Sequence, residues 1–142
     1  MNNSLELILL VIVIGVAWWF LFRRGKYVNK SETIVNKLLL EIDYNLDLLE
    51  LHLNDNQSRK QFKANTWLMY EDKLGFLGPE LTAAMKDSFR LITEINLRID
   101  LTRRGSDNAE IQIERLRDPL TRSKEGLLNW LKTNASQENT KL

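Results

Sequence analysis

His52 is the single histidine of the 142-residue chain, and cysteine is absent. A multi-histidine zinc site, a thiolate metal site and a cysteine nucleophile therefore cannot be assembled from one copy. The di-iron bundle pattern needs Glu-x-x-His twice, and the run Asp47-Leu48-Leu49-Glu50-Leu51-His52 lacks it even once. His52 is expected to be an ordinary residue flanking the core. Asp43, Asp47 and Glu50 stand at i, i+4 and i+7, a spacing that could gather a cation or serve acid–base chemistry. With Leu46 and Leu49 facing elsewhere, this stripe reads as a solvated face.

Gly75-Phe76-Leu77-Gly78 matches the Gly-x-x-Gly of nucleic-acid-clamping loops, but that loop works within a mixed α/β module, and helix caps explain these glycines better. Gly25-Lys26 has Phe20 where a P-loop needs its first glycine, so no phosphate cradle is expected. Arg98, Arg103, Arg104, Arg115, Arg117 and Arg122 form the densest basic group. Asp100, Asp107, Glu110, Glu114 and Asp118 interleave with it, in a chain of net charge +1. The group reads as an ion-paired surface, and no nucleic-acid partner is expected. Asn45 and Asn96 lie between apolar rows, where each could set helix register through a buried polar contact or face water at a bundle edge. No catalytic set, metal or cofactor emerges.

The elements that would position these residues begin with a membrane segment. Leu7 to Phe22 is 16 residues without a polar side chain, and Leu5 extends the run to 18 positions interrupted only by Glu6. At 1.5 Å per residue the 18 cover roughly 27 Å, close to the ~30 Å hydrocarbon core of a bilayer. A single transmembrane helix is expected, with Gly15 inside it and Trp18 and Trp19 near its end. Arg23, Arg24, Lys26 and Lys30 follow the run and no basic side chain precedes it, the reverse of a cleaved signal peptide. The positive-inside rule then places the N-terminus outside, with about five residues exposed there, and the C-terminal domain in the cytoplasm. The expected localisation is the cell (inner) membrane.

Residues beyond 30 carry helical periodicity throughout. A first helix is expected from an N-cap at Ser31 to about Asn54, with Val35, Leu39, Ile42, Leu46, Leu49 and Leu53 as its seam and Leu40, Tyr44, Leu48 and Leu51 as a second strip. A second is expected from about Ser58 to Leu74, ending at Gly75 as C′ residue. Gly78-Pro79-Glu80 reads as the start of a third, which carries Leu81, Met85, Ser88, Ile92, Ile95 and Ile99 and stops after Arg103 and Arg104 at Gly105. A fourth carries Ile113, Leu116, Leu120, Leu127 and Leu131 to about Lys132; it is expected to kink at Pro119, although Asp118-Pro119 could equally cap a new helix. Residues 133–142 read as a disordered tail.

The expected fold is thus all-α: a transmembrane anchor with a basic juxtamembrane segment (1–30), then an antiparallel, up-down bundle of about four helices (31–132). At its N-terminus alone this layout resembles the anchored stalk subunit b of ATP synthases, whose helix is long and Ala-rich, whereas this chain has six Ala. The expected function is a non-enzymatic interaction module or scaffold whose partners are the lipid bilayer and a protein, a second copy of the chain included. The alternative is a membrane-tethered regulator that binds a small molecule or lipid between helices lined by Trp67, Tyr70, His52 and Asn96. Up-down order would put Phe76, Leu77 and Trp130 at the membrane-proximal end, where Phe76 is expected to close the hydrophobic contact of a helix C-cap and Leu77 to plug the bundle end, the alternative being a docking surface for the lipid interface or a partner's transmembrane helix. Arg103, Arg104 and Arg115 would lie at the distal end as further interaction residues.

Overall fold

Among the described residues from Lys30 onward, apolar residues recurring every three or four positions fold into three long helices and one short one. The computed structural model describes Ile12, Ile14 and residues 30–55, 60–105 and 111–139. The chain divides into two units, Met1–Thr33 and Ile34–Leu142. In the first, Ile12 and Ile14 are helical and exposed. The rest of the expected span, including Leu7, Gly15, Trp18, Trp19, Phe22, Arg23 and Arg24, lies outside the described residues. Among the described residues no helix is long and apolar enough to cross a membrane.

The second unit is a helical bundle without strands among the described residues. Its elements are α1 (Lys30–Asn54, of which residues 30–33 belong to the first unit), α2 (Asn65–Tyr70), α3 (Pro79–Arg103) and α4 (Arg117–Asn139), with 3₁₀ stretches at Glu71–Leu77 and Ile113–Leu116. Ser31 already lies inside α1 and does not cap it. The buried face of α1 is rotated from the expected seam. Ile34, Leu38 and Leu48 join Val35, Leu39, Ile42 and Leu49, whereas Leu46 is half-buried and Leu53, Leu40, Tyr44 and Leu51 are exposed. The rotation brings Glu41, Asn45 and His52 onto the buried face, where the chain after α1 uses them.

The second limb is where sequence and structure part most. In place of one helix from Ser58, residues 60–64 are non-helical and only Asn65–Tyr70 form α2; Ser58 itself lies outside the described residues. Geometry accounts for this. The limb runs back along α1, with Lys60 beside His52, Lys63 beside Asn45, Thr66 and Trp67 beside Glu41, and Tyr70 beside Lys37. From Lys37 to His52 an α-helix rises about 22 Å. A helical Lys60–Tyr70 would cover only about 15 Å, and an extended first stretch at ~3.3 Å per residue supplies the difference.

The 3₁₀ stretch then ends at Gly78 (φ 85°, ψ 160°), which takes the left-handed role expected of Gly75. Gly75 sits inside the 3₁₀ turn instead. Pro79 occupies the first turn of α3, where its missing N–H has no intrahelical acceptor to lose. Met85, Ser88, Ile92, Ile95 and Ile99 are buried as the seam requires, with Phe89 beside them and Leu81 half-buried. Gly105, at φ 72°, follows the last turn and donates to Thr102 O at 3.0 Å.

No kinked fourth helix forms. The 3₁₀ stretch closes at Leu116, α4 starts at Arg117, and Pro119 falls in its first turn, so the helix absorbs the proline at its start without a break. Helix α4 also runs to Asn139, past the expected end of order at Thr133. Thr133 Oγ1 donates to Asn129 O (3.0 Å) and Asn134 Nδ2 to Trp130 O (2.8 Å) within it.

Side-chain pairs fix the helix directions. Asp43 meets Lys124 at 2.7 Å and Glu50 meets Arg117, so α1 and α4 are antiparallel. Ser88 Oγ and Ser123 Oγ lie 2.9 Å apart, and a Cβ added at Gly126 would come within 2.5 Å of Leu81 Cδ1, so α3 and α4 are antiparallel and close. Helices α1 and α3 therefore point the same way, with the second limb lying beside both.

Candidate functional site

The most specific arrangement of polar side chains is the groove that α1 and α3 form around residues 60–67. Asn45 Oδ1 accepts from Lys63 N and Asn45 Nδ2 donates to Lys63 O, both at 2.7 Å. Asn96 repeats the pattern on the preceding residue, with Phe62 N donating to Oδ1 and Nδ2 donating to Phe62 O, both at 2.8 Å. In an extended chain, successive residues turn their N–H and C=O groups to opposite sides and their side chains to opposite faces. Phe62 accordingly offers its backbone to α3 and buries its ring, while Lys63 offers its backbone to α1 and lifts its side chain to solvent, where Nζ lies 3.8 Å from the centre of the Tyr44 ring. Each Asn side chain acts as one rung of a ladder that a neighbouring strand would otherwise provide.

The two ends of the segment are held in the same manner. His52 Nε2 lies 2.8 Å from Lys60 O. A carbonyl only accepts, so Nε2 carries the proton. The His52 ring also stacks on Phe62 with centroids 5.3 Å apart. At the other end, the Glu41 carboxylate accepts from Thr66 N (2.8 Å) and Trp67 N (3.0 Å). These are first-turn amides of α2, which has no capping side chain of its own. Glu41 therefore caps α2 from another helix. Glu41, Asn45 and His52 are 6%, 0% and 4% exposed, so these bonds operate away from water, where a missing partner costs most. Trp67 fills the space beneath, stacked on Phe89 with centroids 4.9 Å apart and planes 4° from parallel.

Of the two readings the sequence leaves open for Asn45 and Asn96, a buried polar contact is the one found at Asn45. The backbone of the second limb is its partner, with no other helix involved. His52 flanks the core and bonds to the same limb. Glu41 is the residue that sequence reasoning misses; a carboxylate inside an apolar row of a helix is the signal that marks it. The acidic stripe separates: Asp43 and Glu50 pair with α4, and Asp47 is exposed. The Glu50 carboxylate, by its hydrogen bond and charge, holds the Arg117 guanidinium above its ordinary value. Both ion pairs are partly exposed and screened by solvent, so neither decides the stability of the fold.

The remaining expected sites lie apart from this groove. Leu77 is buried, and Phe76 is half-buried with its ring edge-on to Trp130 at 5.3 Å; Trp130 Nε1 donates to Phe76 O at 3.3 Å. A surface groove of about 490 Å³ runs past Leu77, Pro79, Leu81, Gly126 and Trp130. Arg104 pairs with Asp100 at 2.8 Å, Arg103 is exposed, and Arg115 lines a second groove of about 510 Å³ with His52, Ile111 and Ile113. Of the side chains expected to line a small-molecule site, Asn96 and His52 are occupied by the second limb and Trp67 by Phe89, while Tyr70 accepts from Lys37 Nζ at 3.2 Å. No group of three or more His, Asp or Glu suited to a metal ion occurs among the described residues. No protein-family model, curated protein or solved structure matches the chain.

Proposed function

We propose that the chain is a single-pass, membrane-anchored helical interaction module with no catalytic role, its N-terminus outside and its bundle in the cytoplasm. The apolar run from Leu7 to Phe22, followed by Arg23 and Arg24, supports the anchor and its orientation. The observation that carries the interaction reading is a set of large apolar side chains left in solvent beside a filled core. Leu40 is 71% exposed on α1, Met69 is 65% exposed next to Leu68 on α2, and Leu97 is exposed on α3. Leu68 and Met69 are neighbours, and large apolar side chains grouped in solvent on a folded bundle are where protein partners dock.

A reporter fused after Leu142 tests the orientation, and the expected result is activity in a cytoplasm-dependent reporter alone. Activity only in a reporter that works outside the membrane would overturn it. Purification of the full chain in mild detergent tests the module: a stoichiometric protein partner supports it, whereas a co-purifying small molecule favours the regulator.

A further inference from the structure

We infer that the outward face of α1 is a self-pairing surface, on which a second copy of the chain lies antiparallel with its Asp47 against Lys37 and its Tyr44 against Leu40. This rests on reading the bundle as an interaction module and names a second copy as the partner. Lys37, Leu40, Tyr44, Asp47 and Leu51 are all exposed and recur at intervals of three and four residues, the spacing of a coiled-coil seam. At 100° per residue this row stands opposite the face on which Val35, Leu38, Ile42 and Leu49 are buried. Helix α1 thus carries a second seam that its own bundle leaves open. Leu40 is 71% exposed, and Tyr44 remains exposed although Lys63 Nζ lies over its ring.

The two charged members of the row decide both the occupant and its direction. Neither Lys37 nor Asp47 forms an ion pair among the described residues: Lys37 Nζ reaches the Tyr70 hydroxyl at 3.2 Å, and α4 takes Asp43 and Glu50 but leaves Asp47 in solvent. Positions 37 and 47 are centred on the level of Ile42, and so are positions 40 and 44. A single antiparallel register therefore sets each lysine against an aspartate and each leucine against a tyrosine ring, twice over about one two-fold axis. Such a patch, complementary to itself, is what an isologous dimer requires. Parallel pairing would set Lys37 on Lys37 and Asp47 on Asp47, like charges in both layers, which is unfavourable. The axis of the antiparallel pair runs across the helices and can coincide with the membrane normal, so two copies anchored in one bilayer can meet in this way.

The test uses the full chain in mild detergent. Because the sequence has no cysteine, introduced thiols report the register without interference. Lys37→Cys mixed with Asp47→Cys is expected to join through a short thiol crosslinker. Lys37→Cys alone should not, since its two thiols would lie about 15 Å apart along the helices. Sedimentation velocity reads the association itself: Lys37→Glu and Asp47→Lys should each weaken dimerisation about tenfold or more, and the double variant should restore it to within about threefold. Both positions are exposed, and circular dichroism checks that each variant keeps its helicity. Dimerisation that ignores both charge reversals overturns the proposal, as does crosslinking of Lys37→Cys to itself in preference to Asp47→Cys. A wild-type chain that stays monomeric overturns it too; if that monomer still captures a different protein, the interaction module stands and self-pairing alone falls.

Discussion

Replacing Trp67 with Ala is expected to destabilise the bundle by about 3–5 kcal/mol, a large part of the ~5–15 kcal/mol that holds a domain of ordinary stability. The ring is buried against Phe89 at the centre of the second limb, and nothing on α2 can move in to fill the space, since Leu68 and Met69 point to solvent. Those two neighbours supply the control. Met69→Ala or Leu68→Ala should change stability by about 0.5 kcal/mol or less, because each side chain is already wet. Urea denaturation followed by circular dichroism reads all three variants. Equal costs at residues 67 and 69 would mean that α2 presents a different face to the core.

Glu41→Ala is expected to cost about 2–4 kcal/mol, through two amides left without an acceptor and not through lost packing. Thr66 N and Trp67 N both end on this carboxylate, and the residue is buried. Glu41→Gln discriminates this account from a charge effect. A glutamine offers one acceptor oxygen and one amino group, so it can satisfy one amide while setting a donor against the other. The Gln variant should recover only part of the loss. Full stability in Glu41→Gln would show that one amide finds its acceptor elsewhere.

How far the sequence could be read follows from which residues face what. Helix α3 was legible almost residue by residue, because Pro79 and Gly105 mark its ends and its apolar row meets apolar rows of other elements. Helix α1 was legible in extent but not in rotation. Periodicity counts Leu40 and Leu51 as apolar and Glu41 and Asn45 as polar, whereas the second limb brings its own polar backbone to α1 and so buries the polar residues and leaves the leucines out. The extended stretch after residue 60 was illegible for a related reason. Its conformation comes from rungs that lie 18 and 34 residues away, at Asn45 and Asn96, and no local propensity reports them. At Pro119 the sequence left a kink and a new helix start both open: the apolar register continues from Leu116 through Leu120, and the structure takes the second course, with the helix beginning between them at Arg117. The groove was thus present in the sequence only as polar residues at apolar positions.

Amide hydrogen exchange at Phe62 and Lys63 in the full chain tests most directly whether α1 and α3 form a groove that holds extended backbone. Neither residue is in a helix, so local structure alone would leave both amides to exchange freely. Bonded to Asn96 Oδ1 and Asn45 Oδ1, both are predicted to exchange as slowly as the buried helical amide of Ile92, with Asn96→Ala releasing Phe62 first and Asn45→Ala releasing Lys63 first. Exchange of both amides at the rate of an unstructured chain, while Ile92 stays protected, would contradict the account.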